Sequence, residues 1–225
     1  MGLLPKSKIE EIKKARKQAK MDKKRKVAVR NMSVSFLIVC EGTRTEPNYF
    51  EALVKDRNSD IREVKIEGGG HGTVSLIKQT IAMRDKSNKE FDRVWAVFDK
   101  DDFEDFNDAI RLAAKHNINC AWSNESFELW YYLHFQFLDT GVSRSQYIEM
   151  IEREIRQKTN NPAYEYQKKD PAMFALLQRS GDEAQAIRHA RKLRKGFAGT
   201  DYASHTPCTM VDKLVEELTH PETLL

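Results

Sequence analysis

Short apolar runs alternate with amphipathic segments through the middle of the chain, and this alternation most constrains the fold. The apolar runs predict buried strands, and the segments between them predict helices. Strands and helices that alternate in this way form right-handed crossovers, which produce a mainly parallel sheet with helices on both faces. The predicted strands are residues 34–39, 61–66, 93–98 and 118–122, and the predicted helices are residues 46–54, 74–83 and 104–116.

The strand pattern fades after Ser126, and amphipathic segments separated by Gly, Pro and Asn breaks follow it. We therefore predict an α/β fold in which a four-stranded, mainly parallel sheet is flanked by helices. The predicted divisions are a basic N-terminal arm over residues 1–30, the α/β core over residues 31–135, and a helical C-terminal extension, packed on the core, over residues 136–225.

Positive charge is concentrated at the N-terminus. Residues 1–30 hold 12 Lys and Arg against 3 Asp and Glu, whereas the other residues hold 26 against 31. A basic arm on a mildly acidic body can lie along a phosphate backbone and add salt-sensitive affinity, so nucleic acid is a predicted partner. The alternative is a solvated helix that only keeps the protein in solution.

Membrane insertion and export are not expected. The chain has no apolar stretch of about 18 residues, the length that a membrane span needs, and its N-terminus has charges where a signal peptide needs an apolar core. Three widely spaced cysteines, Cys40, Cys120 and Cys208, suit reduced thiols better than disulfides or a zinc site. We expect a cytoplasmic protein.

Acidic residues follow two of the predicted strands. Asp99 and Asp101 come directly after residues 93–98, and Glu41 follows the first strand. Residues two apart in extended backbone point the same way, so the two aspartates can present their carboxylates to one Mg²⁺ or Mn²⁺ ion. Glu41 reaches the same edge if the first and third strands are neighbours. Asp102 and Glu104 have an alternative role as caps of the following helix.

Two segments resemble the Toprim pattern, in which a Glu-Gly turn follows the first strand and Asp-x-Asp follows the third. They are "IVCEGTRTEPNYF" (38–50) and "VFDKDD" (97–102). With "SNESFELWYYLHF" (123–135) and "HTPCTMVDKLVEEL" (205–218), the chain resembles the RloB-like family over about residues 34–218, a family found beside restriction and phage-defence genes. The resemblance implies a Toprim-like, metal-dependent core of a class that cuts or joins phosphodiesters or synthesises primers.

The resemblance carries over residue by residue. It implies that Glu41 is the Toprim glutamate, a general base or acid and metal ligand, and that Asp99 and Asp101 are the metal-binding pair. Many Toprim proteins have a further acid two residues after that pair, where this chain has Phe103. A further ligand or catalytic acid must therefore come from elsewhere, and the alternatives are Asp102, Glu104, Glu125 and Glu128. Of these, we take Asp102 as the fourth metal ligand and Glu128 as the second catalytic residue.

Four further residues are predicted to contact nucleic acid. Arg44 and Lys100 lie within three residues of a predicted acid, so they are placed to meet a phosphate. His71 and Thr73 belong to the glycine-rich stretch of residues 67–75, which precedes a predicted helix and can bind an anion through backbone N–H groups. Each also has an ordinary alternative, as surface charge or as part of a flexible connection.

These predictions combine into a Mg²⁺-dependent, Toprim-like nuclease that hydrolyses phosphodiesters in DNA or RNA, in bacterial phage defence or abortive infection. A partner protein encoded in the same defence operon is a further expected partner. The alternative function is a non-catalytic module that binds nucleic acid or a partner protein and uses its acidic residues only structurally.

Overall fold

The computed structural model describes residues 13–21, 33–57, 61–68 and 72–225. Most of the predicted basic arm therefore lies outside the described residues, and residues 13–21 form helix α1. The elements that follow are β1 (Val34–Cys40), α2 (Thr45–Arg57), β2 (Ile61–Gly68), α3 (Thr73–Lys86), β3 (Arg93–Asp99), α4 (Phe106–Lys115), β4 (Asn119–Asn124), α5 (Glu128–Leu133), α6 (Arg144–Thr159), α7 (Met173–Ser180), α8 (Glu183–Lys195), β5 (Cys208–Thr209) and α9 (Val211–Thr219), with 3-10 turns at Tyr202–Ser204 and Pro221–Leu224.

The strands form one sheet in the order β2-β1-β3-β4-β5. The first four strands are parallel to their neighbours, which confirms the predicted α/β fold with a mainly parallel sheet. The structure adds a fifth strand that the sequence did not predict: β5 pairs with β4 in the antiparallel direction. Two residues are too few to display the alternation that marks a strand, so β5 was included in the predicted helical extension.

Helices cover both faces of the sheet, so β1 is buried on both sides. Every residue of β1, the strand between β2 and β3, is buried. Phe36 and Ile38 pack in a core with α2, α5, α6, α7, α8 and α9. Leu37 and Val39 point the other way, into a core with α3 and α4. A shift of β1 by one residue would exchange these two sets of side chains between the two cores.

A buried ion pair joins the C-terminal helices to β5, the last strand of the sheet. Asp212 of α9 is fully buried and accepts two hydrogen bonds from the guanidinium of Arg194, each of 2.6 Å. Arg194 also donates to the carbonyl oxygen of Thr209 in β5, at 2.7 Å. Residues 136–225 thus supply one strand of the sheet as well as the helices that pack on it.

The predicted helix caps differ from the observed ones. Helix α4 has Asp105 at its N-cap position, where the Asp105 side chain makes no capping hydrogen bond. Instead, the Asp105 carboxylate accepts hydrogen bonds from the Thr73 hydroxyl and, at 3.4 Å, from the Val74 N–H, so it caps α3. The predicted caps, Asp102 and Glu104, lie before this position and are exposed.

None of the helices in the part of the chain that the structure describes could cross a membrane.

Candidate functional site

The acidic residues of the site surround a cavity at the edge of the sheet where β1 and β3 end. The two strands are parallel neighbours, as the predicted convergence requires, and the Glu41 N–H donates to the Val97 carbonyl oxygen at 2.8 Å. The cavity has a volume of about 330 Å³. Its acidic lining residues are Glu41, Glu46, Asp99, Asp101 and Glu128, and its basic ones are Arg44, Arg144, Lys168 and Lys169.

Glu41 occupies the turn that ends β1, half-buried against the end of β3. Its Oε2 accepts a hydrogen bond of 3.2 Å from the Asp99 N–H. Burial raises the pKa of Glu41 to about 7, the hydrogen bond from Asp99 opposes the rise, and the charges of Glu46 and Asp101 add to it. A carboxyl group with a pKa near neutrality can both accept and donate a proton at physiological pH.

The pKa of Glu41 predicts a pH-dependent stability. A carboxyl whose pKa is raised in the folded state binds more protons folded than unfolded, so its contribution to the free energy of unfolding falls as pH rises. We expect this fall between pH 4.5, the ordinary value, and about 7, in metal-free protein. Urea unfolding of wild type and Glu41→Gln across this range measures it. Curves that stay parallel would contradict the raised pKa of Glu41.

Asp99 is paired with Arg144, a residue that the sequence analysis missed. The Arg144 Nη2 donates to Asp99 Oδ2 at 3.0 Å, and the same guanidinium lies 3.6 Å from carboxylate oxygens of Asp101 and Glu128. Burial nevertheless raises the pKa of Asp99, together with the charges of Glu46 and Glu128, and Arg144 opposes this rise. One cation therefore offsets part of the mutual repulsion of three carboxylates.

The start of α6 holds Arg144 in place. Ser143 is the N-cap of α6 and forms a capping box with Gln146, in which each side chain bonds the other residue's backbone N–H. The Arg144 N–H donates to Glu125 Oε1 at 3.4 Å. The turn is therefore fixed on both sides of Arg144, and the guanidinium projects into the cavity.

Glu46 is a second residue that the sequence analysis missed. It lies in the first turn of α2, is 6% exposed and lines the cavity, and its Oε2 has no hydrogen-bond partner among the described residues. Burial raises the pKa of Glu46, its own backbone N–H opposes the rise, the Glu128 charge adds to it, and Lys168 and Arg144 oppose it. Gly42 makes room for this side chain, because a Cβ at position 42 would collide with the Glu46 carboxylate.

Glu128 begins α5 and is 1% exposed. Its Oε1 accepts a hydrogen bond of 3.1 Å from the Tyr166 hydroxyl, and its Oε2 lies 3.6 Å from Arg144 Nε. The structure therefore gives Glu128 both features that the sequence left as alternatives, since it lines the cavity and also has structural partners.

The structure does not bring all the predicted residues to the cavity. Asp102 is exposed and outside its lining, and the Lys100 ammonium, also outside the lining, donates to the Asp101 carbonyl oxygen at 3.1 Å. Thr73 is fully buried, with its hydroxyl on Asp105, and so has no surface for a nucleic acid. Arg44 lines the cavity as an exposed residue, and His71 lies outside the described residues.

The donor atoms suit a hard divalent cation in type. All five acidic lining residues offer carboxylate oxygens, the ligands that Mg²⁺ and Mn²⁺ prefer, and one oxygen of Glu46 is buried without a partner. In the described ranges, however, no three Asp, Glu, His or Cys residues are grouped so that they could hold a metal ion as they stand. The Arg144 guanidinium contacts three of the carboxylates instead. The metal site stays a prediction.

Comparison with known proteins identifies the family. Neither the curated proteins nor the solved structures include a match to this chain. The family model described as RloB-like protein matches residues 36–218, a span that includes every lining residue of the cavity. Because this match covers well over half of its length, the chain belongs to the RloB-like family.

Proposed function

We propose that the protein is a Mg²⁺-dependent, Toprim-like nuclease that hydrolyses phosphodiesters in DNA or RNA. The observation that carries the proposal is the convergence of five carboxylates in one cavity, at the edge of the sheet where β1 and β3 end. Placing like charges together costs free energy, which a bound divalent cation would offset. Ligands of parallel α/β sheets commonly bind at this edge.

The residues divide into proposed roles. Glu41, Asp99 and Asp101 would hold the metal, with Glu46 as a further oxygen donor. Asp102, the fourth ligand predicted from the sequence, is exposed and lies outside the lining. A divalent cation bound there would stabilise the negative charge that develops on the phosphoryl oxygens. Glu41, whose pKa is about 7, is the proposed group that accepts a proton from the attacking water or donates one to the leaving oxygen.

Glu128 remains the second candidate catalytic acid. Its lining position supports this role, and the hydrogen bond from Tyr166 together with the ion pair with Arg144 would hold its carboxylate in place. The neighbourhood of restriction and phage-defence genes in which family members occur supports defence as the setting of the activity.

One observation favours a second candidate function. Arg144 already neutralises part of the charge of Asp99, Asp101 and Glu128 without a metal, as in an ordinary structural ion network. The protein would then be a non-catalytic module that binds nucleic acid or a partner protein of a defence system.

Cleavage assays with divalent cations separate the two functions. Labelled single-stranded DNA, double-stranded DNA and RNA are incubated with the full chain in Mg²⁺, Mn²⁺ or EDTA. We expect cleavage of at least one substrate with Mg²⁺ or Mn²⁺ and none in EDTA. The Asp99→Asn protein, purified in parallel, controls for contaminating nucleases. Equal activity in EDTA, or none under any condition with no Mn²⁺ binding by calorimetry, would overturn the proposal.

A further inference from the structure

Two adjacent lysines lie at the rim of the acidic cavity on the segment that joins α6 to α7. Lys168 and Lys169 both line the cavity and are both exposed. Their backbone is attached to the start of α2: the Thr45 hydroxyl donates to the Lys168 carbonyl oxygen, and Asn48 Nδ2 donates to that of Lys169 at 3.1 Å. The helix that carries Glu46 thus also fixes the backbone from which these ammonium groups extend.

The same segment is anchored on its other side. The Tyr166 N–H donates to Glu152 Oε1 at 2.8 Å, and the Tyr166 hydroxyl donates to Glu128 Oε1 at 3.1 Å. Arg156 Nε donates to the Tyr164 carbonyl oxygen at 2.7 Å. These bonds use backbone groups and other side chains, so they would survive substitution of the two lysine side chains.

The two lysine ammonium groups make no direct ion pair among the described residues, although the charge of Lys168 acts on Glu46 at longer range. Neither Lys168 nor Lys169 forms an ion pair with any residue in the described ranges, and the same is true of Arg44, which also lines the cavity. By contrast, Arg57 and Arg191 are paired, with Glu183 and Glu216 respectively. Cations that stay unpaired beside a cluster of carboxylates are available to an external anion.

A second depression of the surface, the outer depression, borders the cavity at these two lysines. It has a volume of about 590 Å³ and is lined by Gln167, Lys168, Lys169 and Asp170. Since Lys168 and Lys169 belong to both linings, they form a ridge between the acidic cavity and the outer depression. A polyanion that leaves the cavity by this route would pass both ammonium groups.

We propose that Lys168 and Lys169 bind the phosphodiester backbone of a nucleic-acid strand where the strand passes from the outer depression into the acidic cavity. The inference rests on the proposed function, because it takes the ligand of the cavity to be nucleic acid. Ammonium groups bind phosphates as point charges without reading the bases, so the contact is independent of sequence. It also offsets the repulsion between the acidic lining and the phosphates of the strand.

Salt-dependent binding tests this contact without any cleavage. Fluorescence anisotropy in EDTA measures the affinity of the full chain for labelled oligothymidylate and oligouridylate over a range of salt concentrations. We expect the double variant Lys168→Gln/Lys169→Gln to bind about tenfold more weakly or worse. The slope of log K against log salt should become shallower by about 1.4, since each phosphate contact to a single strand contributes about 0.7.

A matched pair of lysines provides the control. Lys86 ends α3 and Lys115 ends α4, both are exposed, and helices of this kind end where the next parallel strand begins, at the opposite edge of the sheet. The variant Lys86→Gln/Lys115→Gln removes the same net charge and should keep the wild-type slope.

The outcomes separate this inference from the proposed function. Equal slopes for the two double variants, or wild-type protein that binds neither oligonucleotide, would overturn the role of Lys168 and Lys169. Wild-type protein that binds both strands through these lysines but cleaves nothing with Mg²⁺ or Mn²⁺ would overturn the nuclease and leave the binding contact standing. Thermal unfolding of both variants verifies that they fold.

Discussion

Asp99→Asn is expected to lower divalent-dependent cleavage by at least about a hundredfold, as the loss of a charged metal ligand should exceed the usual effect of losing an outer-shell partner. The fold should persist, because the Asp99 side chain at the end of β3 is only 13% exposed and burial already disfavours its charge. An amide of the same shape avoids that cost while it loses the ion pair with Arg144. The thermal midpoint should therefore stay close to that of the wild type.

A second measurement on Asp99→Asn does not depend on activity. A ligand that binds only the folded state raises stability by about 2.7 kcal/mol at a hundred times its dissociation constant. Added Mn²⁺ should raise the thermal midpoint of the wild type and leave that of Asp99→Asn unchanged. Asp108→Asn, at an exposed position on α4, is the matched control and should behave like the wild type. A full Mn²⁺ response in Asp99→Asn would remove Asp99 from the metal site.

Arg144→Gln should have the second largest effect, and this effect is on stability. Without the guanidinium, the carboxylates of Asp99, Asp101 and Glu128 lose their shared counter-ion. We expect a loss of about 2–3 kcal/mol in EDTA, less than the usual cost of about 3–5 kcal/mol for breaking a buried pair, because Arg144 is partly exposed. The loss should grow as pH rises, because the pKa of Asp99 is raised by burial in the folded state and Arg144 opposes that rise. The missing cation therefore costs more stability as Asp99 ionises.

Mn²⁺ should restore much of this stability. A site that has lost a positive charge attracts a divalent cation more strongly, so the Mn²⁺-induced rise in thermal midpoint should be larger for Arg144→Gln than for the wild type. Arg144→Lys, which keeps the charge but not the planar fork, should fall between the two. A Mn²⁺ response smaller than that of the wild type would show that Arg144 supports cation binding instead of opposing it.

Local patterns predicted the fold and half of the site. The alternating apolar runs identified β1 to β4 because each of these strands has enough residues to show its pattern. The convergence of Glu41 with Asp99 and Asp101 also followed from local signals, since acids directly after parallel strands lie at one edge of the sheet. Thr73 was predicted to contact nucleic acid because it follows a glycine-rich stretch at the start of a helix. That sequence pattern is the same whether the helix start binds an external anion or, as here, the carboxylate of Asp105.

The other half of the site comes from segments whose proximity to the acidic residues cannot be predicted from local sequence patterns. Arg144, Lys168 and Lys169 lie far along the chain from the acids they approach, and nothing in their local sequence distinguishes them from surface charges. Glu46 had a local signal, five residues after Glu41 and in the first turn of α2. An acid there is also favourable at any helix N-terminus, so the signal was not specific.

The position of Arg144 bears on how the protein is made. During synthesis, β1, β3 and the start of α5 leave the ribosome before α6, so the carboxylates of Asp99 and Glu128 emerge before their counter-ion. A chain that stops at residue 135 contains these acids without Arg144, and it also lacks β5 and the Asp212–Arg194 pair. The α/β core therefore depends on later residues for its electrostatic balance and for the last strand of its sheet.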